Sequence, residues 1–260
     1  MTDINSIDNS HLTDGIFSVE SLVQTGEEGY LQNHDALKDL KVKQARWNNV
    51  LVGAGAAIAG GVCAANPGVA LAGAVSSLVA SELSTPVDRL VAVTEMLLNA
   101  FANEGIIITP YVKTDEGNID LFVRMSDGRC FAFMLRSKGD SLVKWRADRQ
   151  EFFATTRRRG GTRITKWSEL TKLSQKLNRA TLLLKKQKNP LKGVNNAERN
   201  KIVIKAIVLT SKTKVDPKND PSLFVNFGRT TVLRVQSETP VFVLNCDEII
   251  NFLQIGRAHV

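Results

Sequence analysis

Residues Ile106 to Arg136 read IIITPYVKTDEGNIDLFVRMSDGRCFAFMLR, three apolar runs separated by short polar breaks. Three runs, Ile106–Lys113, Asn118–Met125 and Cys130–Arg136, are rich in Ile, Val, Phe and Leu, the residue types that suit a pleated, half-buried surface. Ser126-Asp127-Gly128-Arg129 is a hairpin turn between the last two. Upstream, Thr85 can cap a helix, Pro86 suits its first turn and Asp88 complements its N-terminal dipole. Leu90, Val93, Leu97, Leu98 and Phe101 then recur at helical spacing until Gly105.

Downstream, Lys138–Lys166 predicts a basic β-ribbon whose apolar points are Leu142, Val143, Trp145, Phe152 and Phe153. Arg157-Arg158-Arg159-Gly160-Gly161 is its expected mobile tip. A helix follows over Trp167–Lys188, with Leu170, Leu173, Leu177, Ala180 and Leu184 inward and Lys172, Lys176, Arg179 and Lys186 outward, stopped by Pro190. Ile202–Thr210 has the continuous apolar look of a buried strand. After a polar loop with Pro217 and Pro221 come strands at Thr231–Val235 and Val241–Asn245 and a helix at Asp247–Leu253.

The order helix, three antiparallel strands, helix, strand, then a further strand and helix resembles the core of the PD-(D/E)XK nuclease superfamily. It is most similar to the restriction-endonuclease-like and nuclease-related branches, over Pro86–Gln254. The resemblance implies an α/β domain with a mixed sheet flanked by helices, here preceded by a Gly/Ala-rich helical hairpin. It also implies a site: an Asp on one strand and a Glu-x-Lys on the next, the two carboxylates holding Mg²⁺ that polarises a phosphate and activates water. Asp120 falls on the Asp position and is the implied metal ligand. Aligned on Phe131-Ala132-Phe133-Met134-Leu135-Arg136, the Glu becomes Met134 and the Lys becomes Arg136. A thioether does not ligate a hard cation, and an arginine does not act as a base. Lys138 lies on the face of Arg136 if the strand continues, and is the candidate replacement for the missing lysine. Glu95, Glu104 and Glu116 are candidates for a relocated carboxylate. The expected protein is therefore a degenerate nuclease, with Asp120, Arg136 and Lys138 as the remnant catalytic set; a Mg²⁺-dependent nuclease is the alternative.

Charge points to the partner. The chain of 260 residues carries a net +8, yet residues 136–201 alone hold nineteen Lys or Arg against five acids. Such a block predicts a polyanionic partner, nucleic acid first. Lys144, Arg146, Arg149, Arg157, Arg158, Arg159, Arg163, Lys166, Lys172, Lys176 and Arg179 are the candidate phosphate contacts. Trp145 and Trp167 would stack on bases if exposed, but both fit the amphipathic pattern of core residues.

The N-terminal third reads differently. Residues 1–34 are acidic and polar and predict a disordered tail without a signal peptide. Residues 35–84 form a helical region: Asp35–Trp47 is amphipathic and basic, and residues 48–81 then pass without a charge. Asn66-Pro67-Gly68 predicts the turn of a hairpin hinged at Pro67. Neither arm reaches the about 20 apolar residues of a full membrane span. The hairpin thus suits an interfacial contact with lipid, next to a basic stretch, or burial against protein. The location predicted is cytoplasmic, at the inner face of a membrane if the hairpin meets lipid. Val50–Gly55 (VLVGAG) imitates a dinucleotide-binding loop, but Ile58 stands where a third glycine belongs and no acid occurs before Glu82. Three scattered cysteines and three histidines near the termini form no zinc spacing or disulfide framework. Residues 255–260, IGRAHV, resemble the translation of a common sequencing adapter and carry no functional weight.

Overall fold

Two neighbouring strands, β3 (Cys130–Arg136) and β7 (Val203–Leu209), run parallel at the centre of the molecule and are apolar almost throughout. A strand covered on both faces has no solvent side to make polar, so continuous runs such as CFAFML and AIVL belong there. The computed structural model describes residues 30–63, 85–114, 117–158, 161–186, 203–227, 230–235 and 240–254. Around β3 and β7 the sheet has seven strands, with β1 (Ile107–Val112) and β2 (Ile119–Arg124) on one side. On the other side lie β11 (Val241–Asn245), β10 (Thr230–Val235) and β9 (Phe224–Phe227). The β3–β7 and β7–β11 pairs are parallel and the others antiparallel, so the sheet is mixed.

Each face of this sheet buries its own core. One face carries Ile108, Leu121, Phe131, Phe133, Ala206 and Val208 against three helices. These are α1 (Asn33–Cys63), α2 (residues 85–100) and α4 (Ile249–Gln254). The opposite face carries Phe122, Ala132, Met134 and Ile207 against α3 (Ser168–Lys186) and a second sheet. With four α-helices among the described residues, the chain is an α/β protein built on a mixed sheet.

The second sheet is where the expected ribbon lies. β4 (Ser141–Arg146), β5 (Glu151–Arg158) and β6 (Gly161–Lys166) form an antiparallel meander, and β8 (Lys214–Val215) adds to β4 in parallel. It packs because Val143, Trp145, Phe152 and Ala154 alternate onto one face and are buried there, Trp145 and Phe152 with ring centres 4.7 Å apart. Arg157 and Arg158, expected in a loop tip, pair as strand residues with Thr162 and Gly161; Arg159 and Gly160 lie outside the described residues.

Asn219 ties the two sheets' connections together. It is 2% exposed; its Oδ1 accepts from the Trp145 N–H at 2.8 Å, and its Nδ2 donates to the carbonyls of Val143 (3.2 Å) and Asp216 (2.7 Å). Asn219→Ala leaves the buried Trp145 N–H without its partner, whereas the Val143 and Asp216 carbonyls keep the backbone N–H groups of Asp216 and Asn219. The change should cost about 1–2 kcal/mol in urea unfolding, more than a surface Asn→Ala change.

The N-terminal segment also departs from expectation. The basic helix and the first Gly/Ala arm are one continuous helix of 31 residues, since no breaker separates Trp47 from Val50. Its first half docks on the domain. Leu40 is buried against the α2 core, Lys41 Nζ meets Glu95 at 2.6 Å, and Gln44 donates to Asp88 at 2.9 Å. The Asn33 side chain donates to the Ile106 carbonyl and accepts from the Ile108 N–H, covering part of the β1 edge. The hinge at Pro67 and the second arm fall outside the described residues, as do residues 1–29 and 255–260. Among the described residues no helix is long and apolar enough to cross a membrane.

Candidate functional site

Asp120 opens β2, while Met134 and Arg136 close β3, and antiparallel pairing brings these ends together. Leu121 pairs with Phe133, so the same register sets Asp120 opposite Met134. On the other side, Pro110 pairs with Leu121 and Val112 with Ile119, which puts Tyr111 opposite Asp120. One row across the sheet is thus Tyr111, Asp120, Met134. All three line a cavity of about 550 Å³, flanked by Arg89 from α2, by Trp167 just before α3, and by Glu169 and Lys176 on α3.

The electrostatics of this cavity are those of a bridged ion pair. Asp120 Oδ2 accepts from the Leu135 N–H at 2.8 Å and from Arg136 Nη1 at 2.5 Å. Arg136 Nη1 also donates to the Leu135 carbonyl, and its Nε approaches Glu169 Oε1 at 3.7 Å. Arg89 is half-buried nearby. Burial, and next the charge of Arg136, disfavour its charged form, while Asp120 and Glu169 support it. Burial first, and then the charge of Asp120, also push the Tyr111 phenol up from its ordinary pKa.

These contacts decide whether Mg²⁺ suits the residues present. Asp120 Oδ2 is taken by two donors, one of them a guanidinium whose charge the carboxylate already neutralises, and Met134 supplies no hard ligand. Among the described residues no three of His, Cys, Asp and Glu converge on one point. The donor set does not fit a divalent cation. Glu95, a candidate for a relocated carboxylate, is engaged by Lys41 on the α1 side. Glu104 is not on the cavity wall, and Glu116 lies outside the described residues. Lys138 does not extend the Asp120 face: β3 ends at Arg136, and the Lys138 N–H turns to Thr213 Oγ1 at 2.7 Å. Its ammonium sits 5.2 Å over the Trp167 ring.

No family model, curated protein or solved structure matches this chain.

The basic residues divide into two groups. On the outward face of the meander, Lys144, Phe153 and Lys166 stand in one cross-strand row, with Arg146 at the end of β4. Lys144, Arg163, Lys172, Lys176 and Arg179 are exposed. Arg146 and Arg149 share Asp148, at 3.0 and 3.7 Å, and Lys166 is bonded to Glu151. The Arg146 hydrogen bonds hold the Asp148 carboxyl below the usual range. Trp145 and Trp167 are buried core residues.

Four cavity residues escape a reading by motif: Arg89, Tyr111, Lys113 and Glu169. Arg89 carries a signal, a charge one turn before the buried Val93 and next to the buried Leu90. Glu169 reads as an ordinary first-turn acid, and nothing local distinguishes Tyr111 or Lys113.

Proposed function

We propose that this chain is a nucleic-acid-binding protein built on a degenerate nuclease-type core of the PD-(D/E)XK, restriction-endonuclease-like kind, and that it does not hydrolyse its ligand. One observation carries the loss of chemistry: Arg136 pairs with Asp120 where that family places Glu-x-Lys and its metal. A guanidinium in this position neutralises the carboxylate that would bind Mg²⁺ and supplies donors only, with no acceptor for a metal. Nucleic acid is favoured as partner by the cationic face on the meander and α3, where Lys144, Arg163, Lys172 and Lys176 are exposed.

The test is incubation of the protein with labelled DNA and RNA in Mg²⁺ or Mn²⁺. The expected outcome is a shifted but uncut ligand. Met134→Glu with Arg136→Lys restores the two missing residue types and should raise divalent-cation affinity, read by calorimetry. Cleavage by the natural protein that disappears in Asp120→Asn would overturn the proposal.

A second reading rests on α1. Beyond Asn48 this helix is apolar and largely exposed, with Val52 73% accessible, and its basic first half would sit near anionic head groups. Peripheral membrane contact through residues 48–81 predicts flotation with anionic liposomes, lost on Val50→Asp with Val52→Asp.

A further inference from the structure

The cavity at the end of β1, β2 and β3 has more donors than its own acceptors use. Tyr111 is 8% exposed, lines the cavity, and its buried hydroxyl has no hydrogen-bond partner. Arg89 Nε is likewise buried and unpartnered. Unsatisfied buried donors are costly, and they are tolerated where a ligand completes them. Tyr111 also holds a left-handed backbone, φ 52°, inside a strand, where a bulky residue is strained. The β1–β2 ladder passes from Pro110 to Val112 without pairing it.

Charge states what that ligand is. Arg89, Lys113, Arg136 and Lys176 line the cavity against two carboxylates, Asp120 and Glu169, a formal surplus of two positive charges. Arg136 lies close enough to Arg89 to oppose its charge, so an anion placed between the two guanidiniums would relieve both. We infer that this cavity binds a phosphate monoester dianion without a metal, through Arg89, Arg136 and the Tyr111 hydroxyl. Guanidinium groups suit phosphate because their N–H donors match its oxygens in pairs. A monoester carries close to two negative charges at neutral pH, matching the surplus, whereas an internal phosphodiester carries one. The volume of about 550 Å³ admits the group together with the first part of what bears it, either a strand terminus or a free nucleotide. The inference does not depend on the basic meander, and it can stand or fall apart from nucleic-acid binding.

Calorimetry on the full chain at constant ionic strength decides it, using inorganic phosphate, adenosine 5′-monophosphate, and one oligonucleotide with either a 5′-phosphate or a 5′-hydroxyl. Saturable binding of phosphate and of the nucleotide, one per chain, is expected. Arg89→Met should weaken it at least about tenfold, and Tyr111→Phe, which keeps the ring and its packing, about three- to tenfold. A 5′-phosphate preference that Tyr111→Phe removes identifies a strand terminus as the source. Equal oligonucleotide affinities with nucleotide binding intact identify a free phosphate ester. Binding of phosphate without any oligonucleotide binding supports the cavity and overturns the function proposed above. Absence of saturable phosphate and nucleotide binding, or binding unchanged in both variants, overturns the inference even if oligonucleotides bind.

Discussion

Asp120→Asn is expected to destabilise the protein by about 3 kcal/mol, and Arg136→Met by only about 1–2 kcal/mol, although the two changes break the same ion pair. Both partners are largely buried, with side-chain exposures of 17% for Asp120 and 23% for Arg136. Losing one member of such a pair leaves an uncompensated charge in a poorly solvated place. The surroundings make the two losses unequal. Without the Asp120 charge, Arg136 and Arg89 face each other with Glu169 and, more weakly, Asp88 to offset them, and Glu169 is 69% exposed and correspondingly screened. Without Arg136, Asp120 still has Arg89 nearby, and Arg89 is freed from a repelling neighbour. Urea unfolding followed by the fluorescence of the buried Trp145 and Trp167 would measure both variants. An equal or larger loss in Arg136→Met would show that the cavity is not governed by a cationic surplus.

Nucleic-acid affinity is expected to fall steeply with salt, and unequally among the basic residues. Lys144, Arg163 and Lys172 are exposed, whereas Arg146, Arg149 and Lys166 are each engaged by a carboxylate, Asp148 or Glu151. A cation already paired must give up that partner before it gains a phosphate, so its net contribution is smaller. Changing Lys144, Arg163 and Lys172 together to Ala should lower affinity on the order of a hundredfold at 0.1 M salt, and reduce the slope of log K against log salt by about 3. The triple change at Arg146, Arg149 and Lys166 should cost markedly less. Fluorescence anisotropy across a salt series gives both quantities for each variant. A flat salt response, or a larger loss in the second triple variant, would assign the basic block another role.

The contrast between these groups illustrates what local sequence carries. All six are Lys or Arg within the same charged block, and composition alone treats them alike. Asp148 and Glu151 are equally visible in the sequence, but only the turn between β4 and β5 brings Asp148 onto Arg146, and only the β5–β6 register brings Glu151 toward Lys166.

The central elements, α2, β1 to β3, α3 and β7, were legible along the chain. Their apolar residues follow a single period, and their ends carry Pro86, Gly105 and the Asp127-Gly128 turn, so each is set by local chemistry. Asp120 on one strand and Met134 and Arg136 on the next were likewise legible, because the Ser126–Arg129 turn joins the two runs as a hairpin. The tertiary structure alone decided the rest. β8 and β9 span two and four residues, too short to show a period, and exist because β4 and β10 offer them unpaired edges. The basic ribbon became a second sheet because Val143, Trp145, Phe152 and Ala154 found a common core with α3, which follows it directly, and with Ile207 and Leu209 of the more distant β7. Arg89, Tyr111, Lys113 and Glu169 come from three separate elements and converge only through packing. Electrostatic attraction depends on distance in space, so the pairing of Arg136 with Asp120, and the surplus of charge around it, became legible only once the strands and helices were assembled.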